Sequence, residues 1–152
     1  MATNNSINTT NINAGFQIRL TGNKTSVTGD GTAYTINFTG TTFDLGTDYN
    51  TITGMFTAPA AGNYIFGGML RLLGLTVAHD FGIISIITSN RNYQKFYDAA
   101  YNDVSPTCTF ICDMDAGDTA YMTIAIQNST KTISIQSEPT GAKSNFYGYI
   151  LK

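Results

Sequence analysis

No stretch of about ten residues in this chain carries a clean helical period, while apolar side chains recur at every second position along much of it. A period of two sends successive side chains to opposite faces of an extended backbone, so the alternating segments are read as β-strands. FQIRL at 16–20 opens the series. YTINF at 34–38 sets Tyr34, Ile36 and Phe38 on one side, and TFDLGTDYN at 42–50 continues as a short strand and turn. DFGIISIIT at 80–88 is apolar enough for a buried strand, SNRNYQ after it is a loop tip, and YQKFYDAAYND at 93–103 is aromatic and irregular. TCTFICDM, AYMTIAI, TISIQ and NFYGYIL complete roughly nine or ten strands separated by turn residues. The expected class is all-β, an antiparallel β-sandwich or jelly roll rather than a repeat array.

Composition supports this. Of the 152 residues, 24 are Thr, which is β-branched and favours strands, while 14 Asn and 15 Gly suit the turns between them. The length allows one domain with a core of its own. Residues 1–15 are polar and uncharged and read as an arm or linker; 16–152 read as the domain.

Only 12% of residues are charged, against about a quarter in an ordinary soluble domain, so Thr, Asn, Ser and Gln must cover the surface. A net charge of −2 with eight scattered Lys and Arg residues leaves no basic stripe for nucleic acid. No apolar run approaches the roughly 20 residues of a membrane helix. MATNNSINTTNINAG has neither the basic start nor the apolar stretch of a signal peptide.

Cys108 and Cys112 stand four apart on one predicted strand face, about 13 Å along it. A disulfide needs Cα atoms within about 7 Å, so buried free thiols are expected. His79 is the single histidine and finds no nucleophile near it in the sequence; a structural or surface role is expected, with no catalytic residue and no metal. TGDGT at 28–32 and FDLGTD at 43–48 place carboxylates beside glycines, which turn chemistry explains better than calcium ligation. No cofactor is expected.

Three strands, NYIFGGML, AYMTIAI and NFYGYIL, are apolar or aromatic on both faces. An antiparallel sandwich strand normally keeps one face wet. Tyr121, Thr123 and Ala125 oppose Met122, Ile124 and Ile126; Tyr147 and Tyr149 oppose Phe146 and Ile150, although either tyrosine can face the core or a loop instead. If these strands share a sheet, their second face is too large an aromatic patch to leave in water, and copies of the same chain are the favoured cover. The interface is then Tyr121, Thr123, Ala125, Tyr147 and Tyr149.

At 53–67 the chain reads TGMFTAPAAGNYIFG. Phe56 and Ala58, then Tyr64 and Phe66, lie two apart, with Pro59 ending the first strand and Gly62 turning into the next. Extended back to Tyr49, the run Y-N-x-x-x-G-x-F-x-A-P-x-x-G-x-Y-x-F resembles the signature of the C1q-type globular head, of the complement/tumour necrosis factor-like jelly-roll superfamily. FQIRL resembles that family's opening strand, MDAGDTAYMTIAI its glycine-aspartate turn and following strand, and SNFYGYILK its closing strand. The resemblance runs from about Phe16 to Lys152. It implies a ten-stranded jelly roll forming tight trimers, with Gly62, Tyr64, Phe146 and Leu151 packing the protomer core. The collagen-like stalk of the complement members is absent from this sequence, and no calcium site carries over onto named residues.

These readings lead to a non-enzymatic homotrimeric attachment module, at a bacteriophage or viral fibre tip or as a virion decoration, in the virion or otherwise extracellular. Its partners are further copies of itself and a host-surface glycan or protein receptor. Asn90, Arg91, Asn92, Tyr93, Tyr97 and Tyr101 are the candidate ligand-binding loop residues, where exposed tyrosines can stack on sugars. The alternatives are a purely structural trimerisation clamp and a secreted carbohydrate- or protein-binding module of a cell.

Overall fold

Alternation in the sequence becomes alternation of burial. Along TAYMTIAI, Ala120, Met122, Ile124 and Ile126 are wholly shielded from solvent, while Tyr121 and Thr123 between them are half-buried. The computed structural model describes residues 13–100, 104–138 and 141–151. Among them are fourteen strands and no helix: β1 (Gly15–Arg19), β2 (Lys24–Thr28), β3 (Tyr34–Thr35), β4 (Gly40–Asp44), β5 (Tyr49–Asn50), β6 (Met55–Thr57) and β7 (Gly62–Met69), followed by β8 (Leu72–Leu73), β9 (Phe81–Thr88), β10 (Asn92–Asp98), β11 (Thr107–Met114), β12 (Thr119–Ile126), β13 (Ile133–Ile135) and β14 (Asn145–Ile150).

Two sheets form the sandwich, with every ladder antiparallel. One holds five strands in the order β11-β7-β14-β1-β4. The other runs β10-β9-β12-β6-β5, with β3 added against β12. A small sheet, β2-β13-β8, stands beside them. The core lies between the two main sheets. Phe16, Ile18, Tyr64, Phe66 and Phe146 enter from the first, and Phe56, Ile84, Ile86, Met122 and Ile124 from the second, each at most 1% exposed. Full burial of such a side chain stabilises the fold by about 1.5–3 kcal/mol.

The stretch at 53–67 is the crossing between the sheets. Phe56 on β6 belongs to the second sheet and Tyr64 and Phe66 on β7 to the first, so the corner carrying Pro59 moves the chain from one layer to the other. Their rings meet: Phe56 lies 5.6 Å from Tyr64 and 5.4 Å from Phe66, and Phe16 reaches Tyr49 at 5.4 Å and Phe56 at 5.0 Å. The fixed spacing of the motif is the spacing needed to bring both layers' rings to one cluster. Two backbone bonds, Ala58 N–H to Asp118 and Gly117 N–H to Ala58, tie the corner to the turn before β12.

Several expectations change in detail. Gly15 pairs with Tyr149 and Ala14 is buried, so these two residues of the expected arm join the sandwich; 1–12 lie outside the described residues. YTINF leaves the ladder after Thr35, yet Ile36 and Phe38 are wholly buried, Ile36 through one more bond to Met122 O. The segment from Tyr93, expected to be irregular, is the edge strand β10 through Asp98, paired residue for residue with β9. Its polar residues hid it, because an edge strand carries little apolar pattern.

Of the four residues assigned to the core by resemblance, Tyr64 and Phe146 are fully buried, and Tyr64 Oη donates to Ala60 O at 2.8 Å. Gly62 and Leu151 are instead exposed. Gly62 opens β7 at the end of the sandwich, where an added Cβ would meet only Ile150 at 3.4 Å. Leu151 follows the last strand and is held by its N–H to Asn63 O, with its side chain 42% exposed.

Candidate functional site

The three two-sided strands do not all share a sheet. β7 and β14 belong to the five-stranded sheet and β12 to the six-stranded one, so Tyr147 and Tyr149 lie on the opposite outer face of the sandwich from Tyr121, Thr123 and Ala125. The single interface expected from the sequence is therefore two surfaces, and they differ in chemistry.

On the five-stranded sheet, Ile111 pairs with Ile65, Ile65 with Tyr149, and Tyr149 with Gly15, which makes one apolar row across four strands. Ile111 is 62% and Tyr149 41% exposed. The Tyr149 ring lies across Gly15 and 5.7 Å from Phe43. In the next row, Tyr147 lies flat over Gly67, where any Cβ would stand 2.4 Å from the phenol oxygen, and its hydroxyl is 3.1 Å from Thr109 Oγ1. Glycine is required at 67 because the ring occupies the space of a side chain. The result is an outer face on which two tyrosine rings lie over glycines beside two isoleucines.

The six-stranded sheet presents a groove of about 480 Å³ on its outer face. Its central row crosses four strands as Thr35–Thr123–Ser85–Gln94. The row above is Tyr121–Ile87–Asn92, and the row below Ala125–Ile83–Phe96. None of the groove's lining residues is charged. Beyond its lower end Phe81 and Phe96 stand 6.4 Å apart, 39% and 62% exposed, beside Asp80 and Asp98.

The predicted ligand loop is exposed and is ordered by bonds within the chain. Arg91 donates to both oxygens of Asp113 at 3.0 Å, and Tyr93 Oη donates to the same carboxylate at 3.2 Å. The arginine beside it holds the Asp113 carboxyl down at about 2. Asn90 donates to Asp118 at 2.6 Å. These bonds tie the β9–β10 turn to β11 and to the turn before β12, so Asn90, Arg91 and Tyr93 have partners within the chain. Asn92 faces outward into the groove. Tyr97 points inward over Gly82 with its hydroxyl buried and without a described partner. Tyr101 lies outside the described residues.

Cys108 and Cys112 are buried free thiols, and desolvation pushes them up to about 12 and about 11. His79 is 1% exposed; its Nδ1 accepts the Thr76 N–H at 3.0 Å, which makes it a loop clasp. Asp30 accepts the Thr32 N–H and Asp44 the Asp48 and Tyr49 N–H groups, as turn carboxylates do. Among the described residues no group of three or more His, Cys, Asp or Glu is placed to hold a metal ion.

The family model of the C1q domain matches residues 16–151. The chain belongs to the C1q domain family. Solved structures agree on the fold. The globular domain of zebrafish complement 1qA protein superposes with a TM-score of 0.57 at 12% identity, over 92% of this chain and 98% of that one. Murine APRIL gives 0.61 at 10% identity, over 91% and 99%. PRD1 vertex protein P5 gives 0.62 at 9% identity, over 92% and 96%. No curated protein matches the sequence. In this C1q domain the motif from Tyr49 to Phe66 is the core crossing described above.

Proposed function

We propose that this C1q domain is a non-enzymatic homotrimeric binding module whose three copies meet through the outer face of the five-stranded sheet. The observation that carries this reading is the row Ile111–Ile65–Tyr149, an isoleucine and a tyrosine left 62% and 41% exposed on an outer face. Such a patch is costly in water, and three copies turned about an axis would cover it. Tyr121, Thr123 and Ala125, on the other side of the sandwich, take no part.

The setting is a fibre tip or decoration of a virus particle that recognises a host surface. A surface of Thr and Asn with few charges suits it, and likeness of fold to a protein named as a vertex protein supports it. Three identical sites on one trimer would bind through avidity.

The test is the mass in solution of the intact protein and of Tyr149→Asp, Ile111→Asp and Tyr121→Asp. The expected result is a trimer for the parent and Tyr121→Asp, and monomers or aggregates for the other two, because an unpaired charge buried at an interface costs several kcal/mol. A parent chain that sediments as a monomer at micromolar concentration would overturn the reading. A trimer that retains no affinity for glycans or host cells would favour a clamp that only holds chains in register.

A further inference from the structure

The groove on the six-stranded sheet asks for an occupant. A sheet face turned to water usually carries charged side chains, and this one carries none along its lining. Thr35, Thr123, Ser85 and Gln94 stand in a single cross-strand row, and none of their side chains bonds to a described residue. The side chains of Asn92 above the row and Gln127 below it, past Ala125, are equally unengaged. Gln127 lies over Gly31, where an added Cβ would come 2.7 Å from its amide oxygen, so the glycine makes room for that amide. Small side chains at Ala33, Ser85, Thr123 and Ala125 form the floor, and Ile83 and Ile87 give it apolar patches. Tyr121 stands at the upper end, and Phe81 and Phe96 lie beyond the lower end, about 20 Å and about 13 Å from Tyr121 along β9.

We propose that this groove binds a short neutral oligosaccharide, deepening the attachment reading above, on which its placement on the outside of a trimer rests. Hydroxyls and amides both donate and accept, which matches the alternating donors and acceptors of sugar hydroxyls. Isoleucine and aromatic faces match the apolar C–H faces of the rings. Asp80 and Asp98 beside the phenylalanines disfavour a sialylated or sulfated chain by like-charge repulsion. A volume of about 480 Å³ lies in the range of small-ligand sites. The face lies opposite the apolar row, so trimerisation leaves all three grooves open.

The experiment presents the intact protein to a panel of neutral, sialylated and sulfated oligosaccharides, then titrates the best binder. The parent is expected to bind neutral glycans alone, near about 1 mM per site and more tightly on a multivalent surface. Thr123→Tyr, which fills the floor, is expected to abolish binding. The pair Gln94→Ala with Gln127→Ala is expected to weaken it at least about tenfold, and decides the matter if the filled variant does not fold. Silence across the neutral panel, preference for acidic glycans, or undiminished binding by both variants would each overturn the proposal. So would loss of the trimer in Thr123→Tyr, which would make the groove an interface between copies. Solution mass separates this proposal from the one it rests on: a trimer that binds no glycan sinks the groove alone, and a monomer that binds one sinks the trimer alone.

Discussion

Glycine and aromatic residues work as pairs in this protein. Gly148 faces the core between Phe66 and Phe16, and an added Cβ would stand 2.5 Å and 2.7 Å from their ring carbons. The rings are packed on every side and cannot retreat, so Gly148→Ala is expected to destabilise the fold by about 1–3 kcal/mol, read from urea midpoints at unchanged slope. Asp113 gives the second prediction at this scale. Its carboxyl sits at about 2, below the usual value of about 4, because Arg91 bonds to the charged form. A lowered folded-state value means the contribution is fully present above about pH 4 and is lost as pH falls through about 2. The stability gap between the parent and Asp113→Asn should therefore be constant near neutrality and shrink across that acid window. Urea midpoints at stepped pH measure it, and a gap that persists at the acid end would show that the staple acts without its charge.

At the scale of elements, β11 shows how alternation sets reactivity. Cys108 and Cys112 face the core at 3% and 0% exposure, while Thr109 and Ile111 face out. Burial raises both thiols well above neutrality, so neither supplies a thiolate. Iodoacetamide at mildly alkaline pH is expected to leave the native protein unlabelled and to modify both cysteines once urea unfolds it; rapid native labelling would mean that β11 opens locally. The edge strand β10 is the other informative element. Lys95 occupies an edge position where a charge discourages pairing with another sheet, and the turn before it is fastened by Arg91 and Asn90. Those bonds hold the exposed β9–β10 turn against β11 and the turn before β12.

For the whole molecule, the decisive feature is that the sandwich has two unlike outer faces. The isoleucine and tyrosine row on one gains by being covered, and the hydroxyl and amide row on the other gains little from an apolar cover. If the first face assembles the trimer, thermal stability should rise with protein concentration, and Tyr149→Asp should remove that dependence while Tyr121→Asp preserves it. Differential scanning at graded concentrations checks this, and a concentration-independent midpoint for the parent would sink the assembly.

The alternation of apolar residues, the thiols four apart on one strand and the motif from Tyr49 to Phe66 settled the class, the core rings and the family, because a period of two and a spacing between rings are local properties of a chain. Which sheet each strand joins is not local. AYMTIAI and NFYGYIL look alike when read along the backbone, and only long-range pairing, β12 with β9 and β14 with β1 and β7, sets them on opposite sides of the sandwich. The tertiary structure alone therefore turned one expected interface into an apolar face and a polar groove, since the chemistry of a surface depends on which strands stand beside each other.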